Sequence, residues 1–351
     1  MSLRRISPAD AIARLAEFDT VIDARSESEY AEDRLPRAEN WPSLNDDERH
    51  RIGTEYVQVS PFAARKRGAA LVARNIARHV ETRLDGRERD WRPLVYCWRG
   101  GQRSGALALV LDQIGYAVHV LDGGYQAFRR HVRAELEHLP DGLALRMLCG
   151  RTGSAKSRLL QALAAQGAQV LDLEALACHR GSVLGPMPGQ PQPTQKAFDT
   201  RVWEALRSAD LARPLFVEGE SRTIGRLRVP ERLLETMRAA PCLRVELALA
   251  QRVELLLQDY GHFVADVGSF CARLDALREL RGAEQVAQWQ VRARAGDLAA
   301  VVRELLEIHY DPIYERSMPR NFKDYAGARV VDLPAADAAT LARIAVELIA
   351  G

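Results

Sequence analysis

Lysine is the scarce residue of this chain. Of 351 residues only Lys66, Lys156, Lys196 and Lys323 are lysine, and arginine supplies the rest of the 49 basic side chains. A lysine at a motif position is therefore less easily a coincidence. Cysteine is sparse as well. The five cysteines, Cys97, Cys149, Cys178, Cys242 and Cys271, form no Cys-x-x-Cys pair and no His/Cys group at zinc-ligand spacing. That excludes a zinc ribbon and argues for free thiols in a reducing compartment. No apolar run is long enough to cross a bilayer, and the opening MSLRRISPAD has no signal-peptide core. A cytoplasmic protein with no membrane partner is expected. Net charge is also small, +2 from 49 basic and 47 acidic residues, so charge alone does not identify a nucleic-acid binder.

What is present is ordinary globular composition, 47% apolar and 27% charged, in a chain long enough for two cores. In the first part, strand-like runs (Thr20 to Asp23, Pro93 to Tyr96, Ala117 to Leu121) alternate with helix-like ones (Pro8 to Glu17, Ala63 to His79, Ser104 to Ile114). The pattern restarts after Leu139-Pro140-Asp141-Gly142, with strands expected over 143–148, 169–173, 214–217, 243–247 and 329–333 and a helix over 156–165. A Pro-rich loop runs from Pro186 to Gln195, and an Arg-rich helical segment covers about 250–310. These alternations predict two α/β domains, 1–134 and 135–351.

Two segments carry chemistry. In VYCWRGGQRS, Cys97 follows an apolar strand, and Gly100 and Gly101 let the loop curl so that backbone N–H groups converge before the next helix begins. Such a nest favours the thiolate, the nucleophilic form. Arg99 and Arg103 are the expected binders of an anionic substrate, and Cys97, Arg99 and Arg103 are the candidate catalytic set. In LCGRTGSAKSRLL, a strand leads into Gly150, Thr152, Gly153, Ser154, Ala155, Lys156 and Ser157, a phosphate-cradling loop at a helix N-terminus. Ala155 stands where this pattern expects glycine. Glu218 and Glu220 in LFVEGES, and Asp172, are candidate acids for the same pocket; no metal ligand is assigned, although Ser157 is available to magnesium.

The first segment resembles rhodanese domains. VIDARSESEY, with Asp23 and Arg25, is similar to the first rhodanese signature and LDGGYQAF to the closing one, and the resemblance implies that Asp23 and Arg25 brace the loop from below. The Cys97–Arg103 spacing is also the Cys-x5-Arg arrangement of phosphatases. The second segment resembles the Walker A motif of P-loop NTPases.

Rhodanese and P-loop domains in this order, with NDDERHRIGT, LEALACHRGSVLG, QPTQKAFD, VEGESRTIG and HYDPIYERS, resemble the tRNA 2-selenouridine synthase family along nearly the whole chain. The resemblance implies a transferase acting on the wobble 2-thiouridine of tRNA. Geranyl diphosphate alkylates the sulfur, and selenophosphate then replaces it with selenium; no prosthetic group is implied. The P-loop would serve the diphosphate and Cys97 the selenium step. Arginines between Arg252 and Arg316, with His179, Arg180 and Arg222, are the candidate tRNA contacts. Two alternatives stand beside this reading: a Cys-x5-Arg phosphatase or sulfurtransferase fused to a nucleotide-binding module, and a non-catalytic tRNA-binding protein that keeps both shells.

Overall fold

Short apolar runs separated by amphipathic helices can bury both sheet faces only by pairing in parallel under helical cover. The computed structural model does this twice. It describes residues 3–181, 185, 189–261 and 265–351. Pro186, Met187 and Pro188 of the expected Pro-rich loop, and Ser182 to Leu184 of the LEALACHRGSVLG segment, lie outside the described residues. No helix among the described residues is long and apolar enough to cross a membrane.

The first unit comprises Met1–Glu135 and Pro193–Glu204. Its five strands are β1 (Arg4–Ile6), β2 (Thr20–Asp23), β3 (Ala38–Asn40), β4 (Pro93–Tyr96) and β5 (His119–Leu121), ordered β1-β5-β4-β2-β3. All pairs are parallel, with Ile22 opposite both Glu39 and Val95. Ile22, Trp41, Ile76, Trp91, Val95, Leu107 and Val120 fill the core. The chain winds from β2 outward to β3 and from β4 outward to β5, so a crevice opens at the C-terminal ends of β2 and β4, where such sheets bind ligands. Cys97 follows β4 directly.

Residues 193–204 correct the sequence reading, which placed them in the second domain. They group with the first unit, where Arg129 bonds Asp199 (3.0 Å) and Thr200 (2.8 Å), and Trp203 meets Phe128 edge-on.

The second unit comprises Leu136–Gln192 and Ala205–Gly351. Its main sheet holds β6 (Leu145–Cys149), β7 (Gln169–Leu171), β8 (Leu215–Glu218), β11 (Cys242–Leu247) and β12 (Arg329–Leu333) in the order β12-β11-β6-β8-β7, all parallel. A small antiparallel pair, β9 (Thr223–Ile224) and β10 (Leu227–Arg228), stands apart. β6 is central, with the chain departing to opposite sides, so the loop after it lies at the topological switch point. The helices Lys156–Ala165 and Ala338–Ala350 cover the sheet through Leu159, Leu163, Leu341 and Ile344. The Arg-rich segment is helical as expected over its described residues and packs its own core around Phe270, Leu274, Trp289, Val301 and Leu305.

Candidate active sites

The Cys97 loop is locked by two glycines in the left-handed region, Gly100 at φ 66° and Gly124 at φ 57°. A Cβ on Gly124 would stand 2.2 Å from the Cys97 carbonyl oxygen and 2.4 Å from the Gly100 nitrogen, so only glycine lets the two turns interleave. Tyr125 N–H then donates to the Cys97 carbonyl (2.8 Å) and Gln126 N–H to that of Trp98 (3.1 Å). Cys97 is buried, and the Ser104 hydroxyl lies 3.1 Å from its sulfur. Ser104, on the first turn of the helix Gln102–Ile114, is a contact the sequence reading did not single out.

Of the two expected anion binders, Arg99 is exposed and touches Gln126 (3.3 Å). Arg103 is half-buried and donates to Glu29 at 2.9 Å. Beneath the loop, Asp23 and Arg25 form a fully buried two-pronged pair (Nε–Oδ1 3.0 Å, Nη2–Oδ2 2.6 Å), and Tyr96 donates its hydroxyl to Asp23 (2.7 Å). The Arg25 guanidinium lies 3.9 Å from the Tyr125 ring centre. Arg25 thus ties β2 to the residue that holds the Cys97 carbonyl.

In the second unit the loop from Gly150 to Ala155 joins β6 to the helix Lys156–Ala165. A Cβ on Gly150 would meet Ser154 Oγ at 2.5 Å and the Val245 carbonyl at 2.7 Å. Gly153 takes φ 78°. Lys156 Nζ donates to the Gly150 carbonyl (2.8 Å), inside the turn that would hold a phosphate. Ala155 itself adopts φ 64°, ψ 20°, the left-handed conformation the pattern reserves for glycine, and its methyl joins the core with Leu159 and Val245. A cavity of about 280 Å³ adjoins the loop, lined by Gly150, Arg151, Arg244, Tyr314 and Tyr325 among others.

Three carboxylates gather at the same end of the sheet. Glu174, Glu218 and Glu220 each place an oxygen within 4.8 Å of the others. Burial, then the neighbouring Glu220 and Glu218, push Glu174 up to about 9. Burial and Glu218 push Glu220 up to about 7. Glu218 is raised by burial, with Lys156 and a hydrogen bond from Ser157 pulling back. Glu218 Oε1 is buried without a partner among the described residues. Glu174 was missed at the sequence level, because nothing in its own segment marks it as lying beside β8. Asp172 instead caps the helix Leu173–Ala177, accepting from Ala175 N–H (2.8 Å).

Several expected tRNA contacts have other partners. Arg252 is buried, forms a two-pronged pair with Asp311 (2.8 and 2.6 Å) and donates to the Thr152 carbonyl (2.9 Å), bracing the phosphate loop. His179 is buried, and Arg180 donates to the Asp259 carbonyl (2.7 Å). Arg222 is exposed.

Comparison with known proteins agrees with this architecture. The family profile for the rhodanese-like domain matches residues 7–131, and that for the tRNA 2-selenouridine synthase AAA domain matches residues 143–276. The chain is 33% identical over 333 residues to a tRNA 2-selenouridine synthase of Alcanivorax borkumensis, covering 86% of this chain and 90% of the relative. It is 34% identical to that of Nitrosomonas europaea, covering 72% of this chain and 66% of the relative. A solved rhodanese-related protein from Thermoplasma volcanium is 20% identical over 36% of this chain and 92% of its own, with a TM-score of 0.25. With one relative aligned almost end to end and both domain profiles in place, the chain belongs to the tRNA 2-selenouridine synthase family.

Proposed function

We propose that the chain converts wobble 2-thiouridine in tRNA to 2-selenouridine, as the names of its relatives suggest, through an S-geranylated intermediate. The supporting observation is the coexistence of an intact thiol loop at Cys97 and an intact phosphate loop at Lys156 in a chain that aligns over 86% of its length with a tRNA 2-selenouridine synthase.

In the first step the thiocarbonyl sulfur forms a bond to C1 of geranyl diphosphate, the C1–O bond breaks, and N3 of the base gives up its proton. Lys156 and the N–H groups of Gly150 to Ser157 stabilise the diphosphate as it departs. Tyr314 and Tyr325 offer the apolar tail a wall beside the loop. In the second step the selenium of selenophosphate bonds to C2, the C2–S bond breaks and geranyl thiol leaves. Water then cleaves the Se–P bond to release phosphate. Cys97 serves this step at the loop that receives the selenophosphate, with Arg99 beside it for the anion, and a proton from solvent completes the departing geranyl thiol.

Magnesium fits the second unit. Glu174, Glu218 and Glu220 offer only hard oxygen donors, and Glu218 Oε1, without a partner among the described residues, is the atom such an ion would take. Held by these residues beside Ser157, the ion would offset the charge of the diphosphate. The phosphatase reading is less well supported, because the arginine it needs, Arg103, is engaged by Glu29.

The test is incubation of purified protein with 2-thiouridine tRNA, geranyl diphosphate and selenophosphate, followed by nucleoside mass spectrometry. A geranylated nucleoside that gives way to a selenium-containing one is the expected result. Unchanged tRNA with folded protein would sink the reading.

A further inference from the structure

Many basic side chains of the second unit's helical segment are already paired. Arg252 is held by Asp311, Arg278 by Asp275, and Arg292 by Asp297 and Glu304. The helix Pro61–Arg83 of the first unit is different. It carries Arg65, Lys66, Arg67, Arg74, Arg78 and Arg83 against a single acid, Glu81. Only Arg67 has an ion-pair partner among the described residues, Glu55 at 3.1 Å. Where this helix meets the preceding one, Asp46–Gln58, four large apolar side chains crowd into seven residues: Tyr56 is 44% exposed, Val57 83%, Val59 77% and Phe62 67%. Elsewhere exposed apolar residues are scattered, which is normal; a cluster marks a binding surface. The buried face of Pro61–Arg83 uses Ala64, Gly68, Asn75, Ile76 and His79, so the fold has no need of this patch.

The chemistry of the patch selects its partner. Lys66 Nζ stands 5.1 Å from the Phe62 ring centre and the Arg65 guanidinium 5.9 Å from that of Tyr56. Exposed rings with cations that have no ion-pair partner among the described residues match unstacked bases joined by phosphates. A second copy of the chain would bring the same positive patch against itself across a two-fold axis. We infer that the turn between Asp46–Gln58 and Pro61–Arg83 is a docking surface for RNA with unpaired bases, Tyr56 and Phe62 stacking on bases and Arg65 and Lys66 binding the flanking phosphates. The inference rests on tRNA being the substrate, and the anticodon loop supplies the unpaired bases.

Full-length protein is titrated with labelled 2-thiouridine tRNA by fluorescence anisotropy at several salt concentrations. The double variant Tyr56→Ala/Phe62→Ala is expected to bind roughly tenfold or more weakly at fixed salt. Arg65→Ala/Lys66→Ala is expected to flatten the slope of log affinity against log salt by about 1.5. Both variants binding as the wild type does would overturn the surface while leaving the proposed reaction standing; a wild type that binds no tRNA would instead sink the reaction. A wild-type dimer that either variant converts to monomer, with tRNA affinity unaltered, would make the patch an interface between copies and overturn the inference. Photocrosslinking of wild-type protein to 4-thiouridine-substituted tRNA gives an independent readout. Adducts on the peptide spanning 56–66 are expected, and adducts confined to other segments would count against it.

Discussion

Arg103 donates to Glu29 at 2.9 Å, so the arginine that ends the Cys97 loop is fastened to the helix Glu27–Glu32, 74 positions earlier in the chain. Glu29 is only 8% exposed and shares the same oxygen with Arg49 at 3.0 Å. Burial alone would raise the Glu29 carboxyl; Arg103 and Arg49 more than reverse that and leave it below the usual range.

Arg103→Ala should therefore destabilise the protein by about 2 kcal/mol, because it leaves a buried carboxylate with the half-exposed Arg49 as its remaining ion-pair partner beside the long Ser26 hydrogen bonds. Arg103→Lys should recover part of that loss, since an ammonium keeps the charge without the fork. Denaturant melts at neutral pH measure both. An unchanged midpoint in the alanine variant would mean that Arg103 serves an anion and not the scaffold.

Ala155 explains itself through packing. A left-handed alanine costs about 1–2 kcal/mol, but its methyl lies in the core of the second unit, where a buried carbon is worth about 0.8 kcal/mol, and glycine would lose more chain entropy on folding. Ala155→Gly should therefore change stability by no more than about 1 kcal/mol. Ala155→Val, β-branched in the same conformation, should lose at least about 2 kcal/mol. Paired melts of the two variants check this, and a large gain in the glycine variant would show that the methyl is not packed as described.

Both candidate loops were legible in the sequence because each is a local pattern: an apolar strand, glycines at fixed spacing, then a helix. β2, β4 and β12 fall where the apolar runs place them. The three-residue strands β1 and β3 were not legible, since RRI and AEN carry no apolar run and earn their pairing from β5 and β2. Residues 193–204 were misplaced because their partners lie far back in sequence: Lys196 pairs with Glu32 at 2.7 Å and Thr200 bonds Asp33 at 3.1 Å. Arg252 looked like one more surface arginine, and only the fold brings Asp311 to it. Glu174 joins Glu218 and Glu220 for the same tertiary reason.

The two loops should fail separately. Lys156→Ala removes the cation proposed to hold the departing diphosphate and should abolish geranylation, a loss of at least 100-fold by the usual scale for such donors. Cys97→Ser should leave geranylation intact and let geranylated tRNA accumulate without selenium. Single-turnover assays with nucleoside mass spectrometry distinguish the two. Loss of geranylation in the Cys97 variant would overturn this division of labour.

The carboxylate cluster should make stability depend on pH, and a divalent ion bound there would couple to the same protons. Glu220 and Glu174, raised to about 7 and about 9 from an ordinary value of 4.5, bind protons more tightly in the folded protein than in the unfolded chain. Their favourable contribution is full below about 4.5 and is lost as pH climbs through 7 towards 9, as each buried carboxyl becomes charged next to its neighbours. Without divalent ions the melting temperature should therefore fall over that window. Magnesium or manganese would bind the charged form, so its stabilising effect should grow from pH 6 to pH 9 and be accompanied by proton release. Glu218→Gln should weaken manganese binding, followed by electron paramagnetic resonance of the free ion, without any need to assay turnover. A melting shift on adding magnesium that is independent of pH, or manganese affinity unchanged in the Glu218 variant, would remove the ion from this cluster and leave the three carboxylates as proton carriers.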